Sequence, residues 1–149
     1  MEHLVAYMGI ALAVALAGIG SSVGVGYAAV ASAGVMSVDP KKFGKLLLLS
    51  ALPGTQGIYG FVVAFLLLGK MSLVTDMATA WSVMLAGLPV GLSCLVSGMH
   101  QGKACAAGAM MTAKQPDDSA KALILAVFIE FYAILGFLVS FLMLQGIGA

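Results

Sequence analysis

The stretch ALILAVFIEFYAILGFLVSFLML, residues Ala122–Leu144, contains one charged residue, Glu130, close to its centre. A helix that crosses a bilayer needs about 20 consecutive apolar residues, and this run supplies them. Outward from it, the other charges bracket three further stretches of the same kind. Nothing is charged between His3 and Asp39, between Lys45 and Lys70, or between Asp76 and Lys103. Composition agrees: 62% of the 149 residues are hydrophobic and 9% charged, against roughly 45–50% and about 25% in soluble domains. Seven lysines and six carboxylates cannot cover the surface of a soluble 15.1 kDa protein, and the mean hydropathy is +1.10. A net charge of +1 and the absence of arginine exclude a nucleic-acid interface. The chain reads as an all-α integral membrane protein, one membrane domain over residues 1–149.

Four spans are expected, over approximately 4–36, 43–69, 79–111 and 119–145. The first and third exceed the thickness of a bilayer and are expected to extend beyond it on one side. The first is too long an apolar run for a signal peptide and has no basic lead. Lysines set the orientation. Lys41, Lys42 and Lys45 lie on the first connection and Lys103, Lys114 and Lys121 flank the third, with Lys70 alone on the other side. The positive-inside rule then puts loops 37–42 and 112–118 in the cytoplasm, and both termini and loop 70–78 outside. Asp39-Pro40 and Gln115-Pro116-Asp117-Asp118-Ser119 read as breakers followed by helix N-caps.

Slid along itself until Ser21 meets Ser97, the chain superposes its two halves without a gap. In that register Gly26 meets Gly102, Pro40 meets Pro116 and Lys45 meets Lys121. Ile58-Tyr59-Gly60-Phe61 meets Ile134-Leu135-Gly136-Phe137 at the same offset. Cytoplasmic loop falls on cytoplasmic loop, so the repeat is parallel: two tandem helical hairpins, 4–69 and 79–145. The first span of each is slim, with Gly18, Gly20, Gly24 and Gly26 in one and Gly87, Gly91, Gly98 and Gly102 in the other. Small residues let helices approach closely in lipid. The second spans are bulky, which suits the outer wall of a narrow ring and leaves the inner wall to the slim helices.

A carboxylate at the bilayer centre costs at least about 2.5–3.5 kcal/mol, so Glu130 reads as functional. Its repeat partner is Gly54, so one hairpin carries the charge and the other does not. At the same depth the second span offers Thr55, Gln56 and Tyr59 on one arc. The third offers Gln101 and His100, and the fourth Tyr132. Pro53 has no amide, which frees the carbonyl of Leu49. A proton needs only a carboxylate, whereas a hard cation needs several oxygens to replace its water. This oxygen surplus favours an alkali ion. The alternative is hydrogen bonding between helices, with Glu130 protonated.

The segments Leu52-Pro53-Gly54-Thr55-Gln56-Gly57-Ile58-Tyr59-Gly60-Phe61, Ser97-Gly98-Met99-His100-Gln101-Gly102-Lys103 and Glu130-Phe131-Tyr132-Ala133-Ile134-Leu135-Gly136-Phe137 resemble the duplicated, four-helix proteolipid of V-type ATPases. The resemblance runs through essentially the whole chain and is greater to the K subunit of the bacterial sodium-translocating type. It implies a homo-oligomeric membrane rotor ring that carries ions past a stator subunit supplying an arginine. It further implies that a central-stalk subunit links the ring to a head that hydrolyses ATP. It implies a sodium site on Glu130, Gln101, Thr55, Gln56 and the backbone carbonyl of Leu52, with the Tyr59 hydroxyl locking the glutamate. The proline reasoning points instead to the carbonyl of Leu49, so two carbonyls compete for that place. Protons alone are the alternative cargo.

Cys94 and Cys105 lie eleven residues apart on one expected helix, so they cannot bridge each other, and no metal-ligand spacing of Cys and His occurs. With no nucleophile–base pair and no phosphate loop, the chain is not a catalyst alone. A small four-helix transporter with one buried Glu is a further rival. It would need an aromatic-lined cavity, whereas this chain has one tryptophan, Trp81, at an expected membrane edge.

Overall fold

The computed structural model describes residues 1–148. Four apolar helical spans appear, at Glu2–Met36, Pro40–Leu68, Met77–Lys114 and Pro116–Gln145, and no strand occurs among the described residues. They comprise α1 (Glu2–Met36), α2 (Phe43–Ala51), α3 (Thr55–Leu68), α4 (Met77–Lys114) and α5 (Ser119–Gln145). At 1.5 Å per residue α1 and α4 are about 52 and 57 Å long, against about 30 Å of hydrocarbon. Both helices are longer than that layer is thick.

The second span is not one helix. A 3-10 turn over Leu52–Gly54 separates α2 from α3. The cause is local: Pro53 has no N–H to give, and its ring clashes with the carbonyl one turn back. The loops are held by their own side chains. Asp39 accepts from the Lys41 amide at 3.1 Å, and Asp76 caps α4 through the Thr79 amide at 2.8 Å, which holds its carboxyl below the usual range. The expected cap of the last span is absent. Asp118 makes no cap bond and pairs with Lys121 at 2.8 Å instead, because a 3-10 turn over Pro116–Asp118 leads into α5.

Glycine decides the packing. α1 and α4 lie backbone against backbone, Gly9 on Met84 and Gly87, Gly20 on Cys94 and Leu95, Gly24 on Gly98 and Gly102. A Cβ at Gly20 would stand 2.5 Å from the Leu95 Cα, so nothing larger fits. Each bulky helix packs on the slim helix of its own hairpin. Gly60 of α3 abuts Ala17 and the Ala13 carbonyl, and Gly136 of α5 abuts Ser93 and the Pro89 carbonyl. The two sets are related residue by residue at the offset that pairs Ser21 with Ser97, so the hairpins repeat in space as they do in sequence. Cys94 and Cys105 are free and buried. The outward faces of α3 and α5 expose Phe61, Phe65, Phe128, Leu135 and Leu142, an apolar surface that lipid solvates.

Candidate ion-binding site

Three elements converge on Glu130, which is 6% exposed. The turn at Leu52–Gly54 starts α3 at Thr55, so Thr55, Gln56 and, one helical turn later, Tyr59 present polar groups at the depth of the carboxylate. Thr55 Oγ1 and Tyr59 Oη lie 2.6 and 2.8 Å from one carboxylate oxygen. Gln101 Nε2 of α4 and Gln56 Nε2 donate to the other at 2.7 and 3.2 Å. The two glutamines, both fully buried, are joined by a 2.7 Å bond from Gln56 Nε2 to Gln101 Oε1. Gln101 also donates to the Ala126 carbonyl, one turn before Glu130, at 3.1 Å. Side chains from two hairpins, far apart in sequence, thus close around one carboxylate.

The Thr55 hydroxyl is the informative atom. Its oxygen lies 2.6 Å from Glu130 Oε1, 2.9 Å from the Leu52 carbonyl and 3.5 Å from Gln56 Oε1. One hydroxyl has one proton to donate, so Thr55 can serve only one of these acceptors, while Glu130 Oε1 is reached by the Tyr59 hydroxyl as well. The Thr55 hydroxyl, Glu130 Oε1, the Leu52 carbonyl and Gln56 Oε1 thus gather four oxygens at one point, the donor type that hard cations take. Of the two competing carbonyls, Leu52's meets the Thr55 hydroxyl; no hydrogen bond ties Leu49's to the cluster.

His100 and Tyr132 do not join it. His100 is exposed with Nδ1 on its own helix at the Val96 carbonyl, and Tyr132 is 67% exposed. Sequence reasoning overlooked Ser21, whose hydroxyl donates to the Pro53 carbonyl at 2.8 Å and ties the helical break to α1. Its repeat partner Ser97 has a buried hydroxyl without a partner. The difference lies at Gly57, where an added Cβ would stand 3.1 Å from Ser21 Oγ; the second hairpin has Ala133 there. Only this comparison of the two repeats could have signalled it. Ser21→Ala is expected to lower thermal stability by about 1 kcal/mol, the net worth of a hydrogen bond, while Ser97→Ala is neutral or stabilising. Equal losses from the two substitutions in thermal melts would contradict this.

A family profile described as the ATP synthase C subunit matches residues 8–67 and again residues 84–143. The chain belongs to the ATP synthase C-subunit family. The two matched segments stand at the same offset as the internal repeat. The chain is similar to V-type sodium ATPase subunit K of Enterococcus hirae, 44% identical over 138 residues, covering 93% of this chain and 88% of that one. It is similar also to A-type ATP synthase subunit K of Methanocaldococcus jannaschii, 41% identical over 140 residues, 94% of this chain and 61% of the relative. The 16 kDa proteolipid of the human V-type proton ATPase is 27% identical over 138 residues, 93% of this chain and 89% of that one. Proteins of this family form homo-oligomeric rotor rings in the membrane sector of V- and A-type ATPases and are not catalysts alone. The chain is a multi-pass membrane protein of that kind.

Proposed function

We propose that this rotor-ring proteolipid carries sodium, held on Glu130, Thr55, Gln56, Gln101 and the Leu52 carbonyl, with Tyr59 as the lock. The observation that carries the reading is the gathering of Glu130 Oε1, the Leu52 carbonyl and Gln56 Oε1 around the Thr55 hydroxyl oxygen. The identity to a sodium ATPase subunit supports it. With sodium bound, Glu130 is neutralised and the site can face lipid. With sodium gone, a bare carboxylate in hydrocarbon is costly and must meet a cation. No arginine occurs in the chain, so the stator supplies it, while the ring is linked to the ATP-hydrolysing head through a central-stalk subunit. The chain acts as one membrane domain of two hairpins, slim α1 and α4 lining the ring and α3 and α5 facing out. The lysine-bearing loops 37–42 and 112–118 lie in the cytoplasm. Each ion moved against 100 mV costs about 2.3 kcal/mol, and one ion per two hairpins suits pumping against a steep gradient.

Carbodiimide labelling tests the cargo. The reagent attacks a protonated carboxyl group, and sodium competes with that proton. Millimolar-range sodium should slow labelling of Glu130, more so as pH rises, and Gln101→Ala or Thr55→Ala should weaken the protection without stopping the labelling. Protons alone are the second reading: the Thr55 and Tyr59 hydroxyl oxygens, 2.6 and 2.8 Å from Glu130 Oε1, can accept from a protonated carboxyl group. Labelling indifferent to sodium at every pH would establish that reading instead. Stoichiometry is a separate expectation. Gly54 stands where the first hairpin would need its carboxylate, so equilibrium binding should saturate at one sodium per chain; saturation at two would reject the assignment.

A further inference from the structure

Ser21 of α1 lies outside the oxygen cluster but touches the turn that builds it. Its buried hydroxyl donates to the Pro53 carbonyl at 2.8 Å. α1 also holds the ring of the same residue. A Cβ at Gly24 would stand 2.9 Å from the Pro53 Cβ, so the proline seats against that glycine. Two torsions, φ and ψ of Pro53, separate the carbonyl that Ser21 holds from the Leu52 carbonyl. The pyrrolidine ring fixes φ at about −65°. Only ψ is left, and a bond to the Pro53 carbonyl fixes ψ. Proline and serine together lock the bearing of the Leu52 carbonyl, which receives the Thr55 amide and lies 2.9 Å from Thr55 Oγ1.

The second hairpin shows what the bond goes with. Ser97 repeats Ser21, but Ile129 stands in the place of Pro53 and Ala133 in that of Gly57. α5 runs unbroken through Ile129, and the Ser97 hydroxyl, also buried, has no partner. Both hairpins pair their helices in the same way, Gly60 on Ala17 and Gly136 on Ser93. The serine bond therefore tracks the broken span and its turned carbonyl, not the pairing of helices.

Resting on the sodium reading, we infer that Ser21 is a positioning residue of the cation site: it touches no ion and sets the affinity by aiming the Leu52 carbonyl through Pro53. An oxygen that must be ordered when the cation arrives draws that cost from the binding free energy, whereas one held in place beforehand does not. The effect is confined to the cation. Glu130 takes its contacts from Thr55, Tyr59, Gln56 and Gln101, and the Leu52 carbonyl is not among them. Loosening that carbonyl therefore leaves the carboxyl group as reactive as before when sodium is absent.

Ser21→Ala in the full chain tests this by equilibrium binding of radioactive sodium, well below the melting transition, where a loss of stability leaves the protein folded. Affinity should fall about fivefold, the scale of one hydrogen bond, at unchanged stoichiometry. Carbodiimide labelling of Glu130 in sodium-free buffer at one fixed pH should keep its rate. Ser97→Ala, the same change one repeat on, should bind sodium as the unaltered chain does. Gly57→Ala brings in the residue of the second hairpin and puts a Cβ 3.1 Å from Ser21 Oγ. It should weaken binding at least about threefold, by the same loss, and it decides the matter if Ser21→Ala does not fold. A Ser21→Ala protein that melts earlier but binds sodium normally makes Ser21 a stitch between helices and overturns the inference. So does an equal loss in Ser97→Ala, or sodium-free labelling that changes as much as the affinity. An unaltered chain that binds no sodium overturns the sodium reading itself, and this inference with it.

Discussion

Glu130→Gln is expected to abolish sodium binding and ion transport while leaving the fold intact. The amide keeps the shape of the carboxylate and can place its oxygen toward Gln56 and Gln101, which donate at 3.2 and 2.7 Å. Its NH2 then faces Thr55 and Tyr59, whose hydroxyl oxygens also accept. What disappears is the negative charge that balances a buried cation. Removing one partner of a buried ion pair costs about 3–5 kcal/mol, so affinity should fall roughly a thousandfold. Equilibrium binding of radioactive sodium together with a thermal melt checks both halves. Sodium affinity within tenfold of the unaltered protein would move the site away from Glu130.

Gly102→Val should prevent the two hairpins from docking. A Cβ there overlaps the backbone of Gly24, and neither α1 nor α4 has a side chain that could yield. The two helices must separate along the seam that holds Gln101 against Gln56, so folding yield and the ion site are lost together. Gly26→Leu is the control, and it discriminates. Gly26 has nothing within 4 Å on its own chain, so that variant should fold as a single chain and fail to form the ring. Circular dichroism and particle mass separate the two outcomes. A Gly102→Val protein that melts and assembles normally would contradict the glycine-on-glycine seam.

Much of this was legible in sequence. Hydropathy and the positions of seven lysines and six carboxylates mark four spans, because a bilayer excludes unpaired charge over a known thickness. The matched Pro40 and Pro116, Lys45 and Lys121, Gly60 and Gly136 reveal the repeat. A lone Glu130 within the apolar run Ala122–Leu144 identifies the chemical centre, and the family resemblance names the groups around it.

Tertiary structure decided the rest. Hydropathy runs along one helix and is silent about which azimuth meets a neighbour. Gln101 and His100 are adjacent in sequence at one depth, yet Gln101 is buried against Glu130 and His100 is exposed. Gly20, Gly24, Gly98 and Gly102 make that choice, because they set the one rotation at which α1 and α4 can touch. Likewise Pro53 announces a disturbed helix, but whether Leu49 or Leu52 turns its carbonyl toward Thr55 depends on the 3-10 turn that Ser21 fastens to α1. Sequence alone determined that this chain lies in the membrane as a repeated hairpin around one carboxylate. The close approach of two glycine helices determined which oxygens surround it.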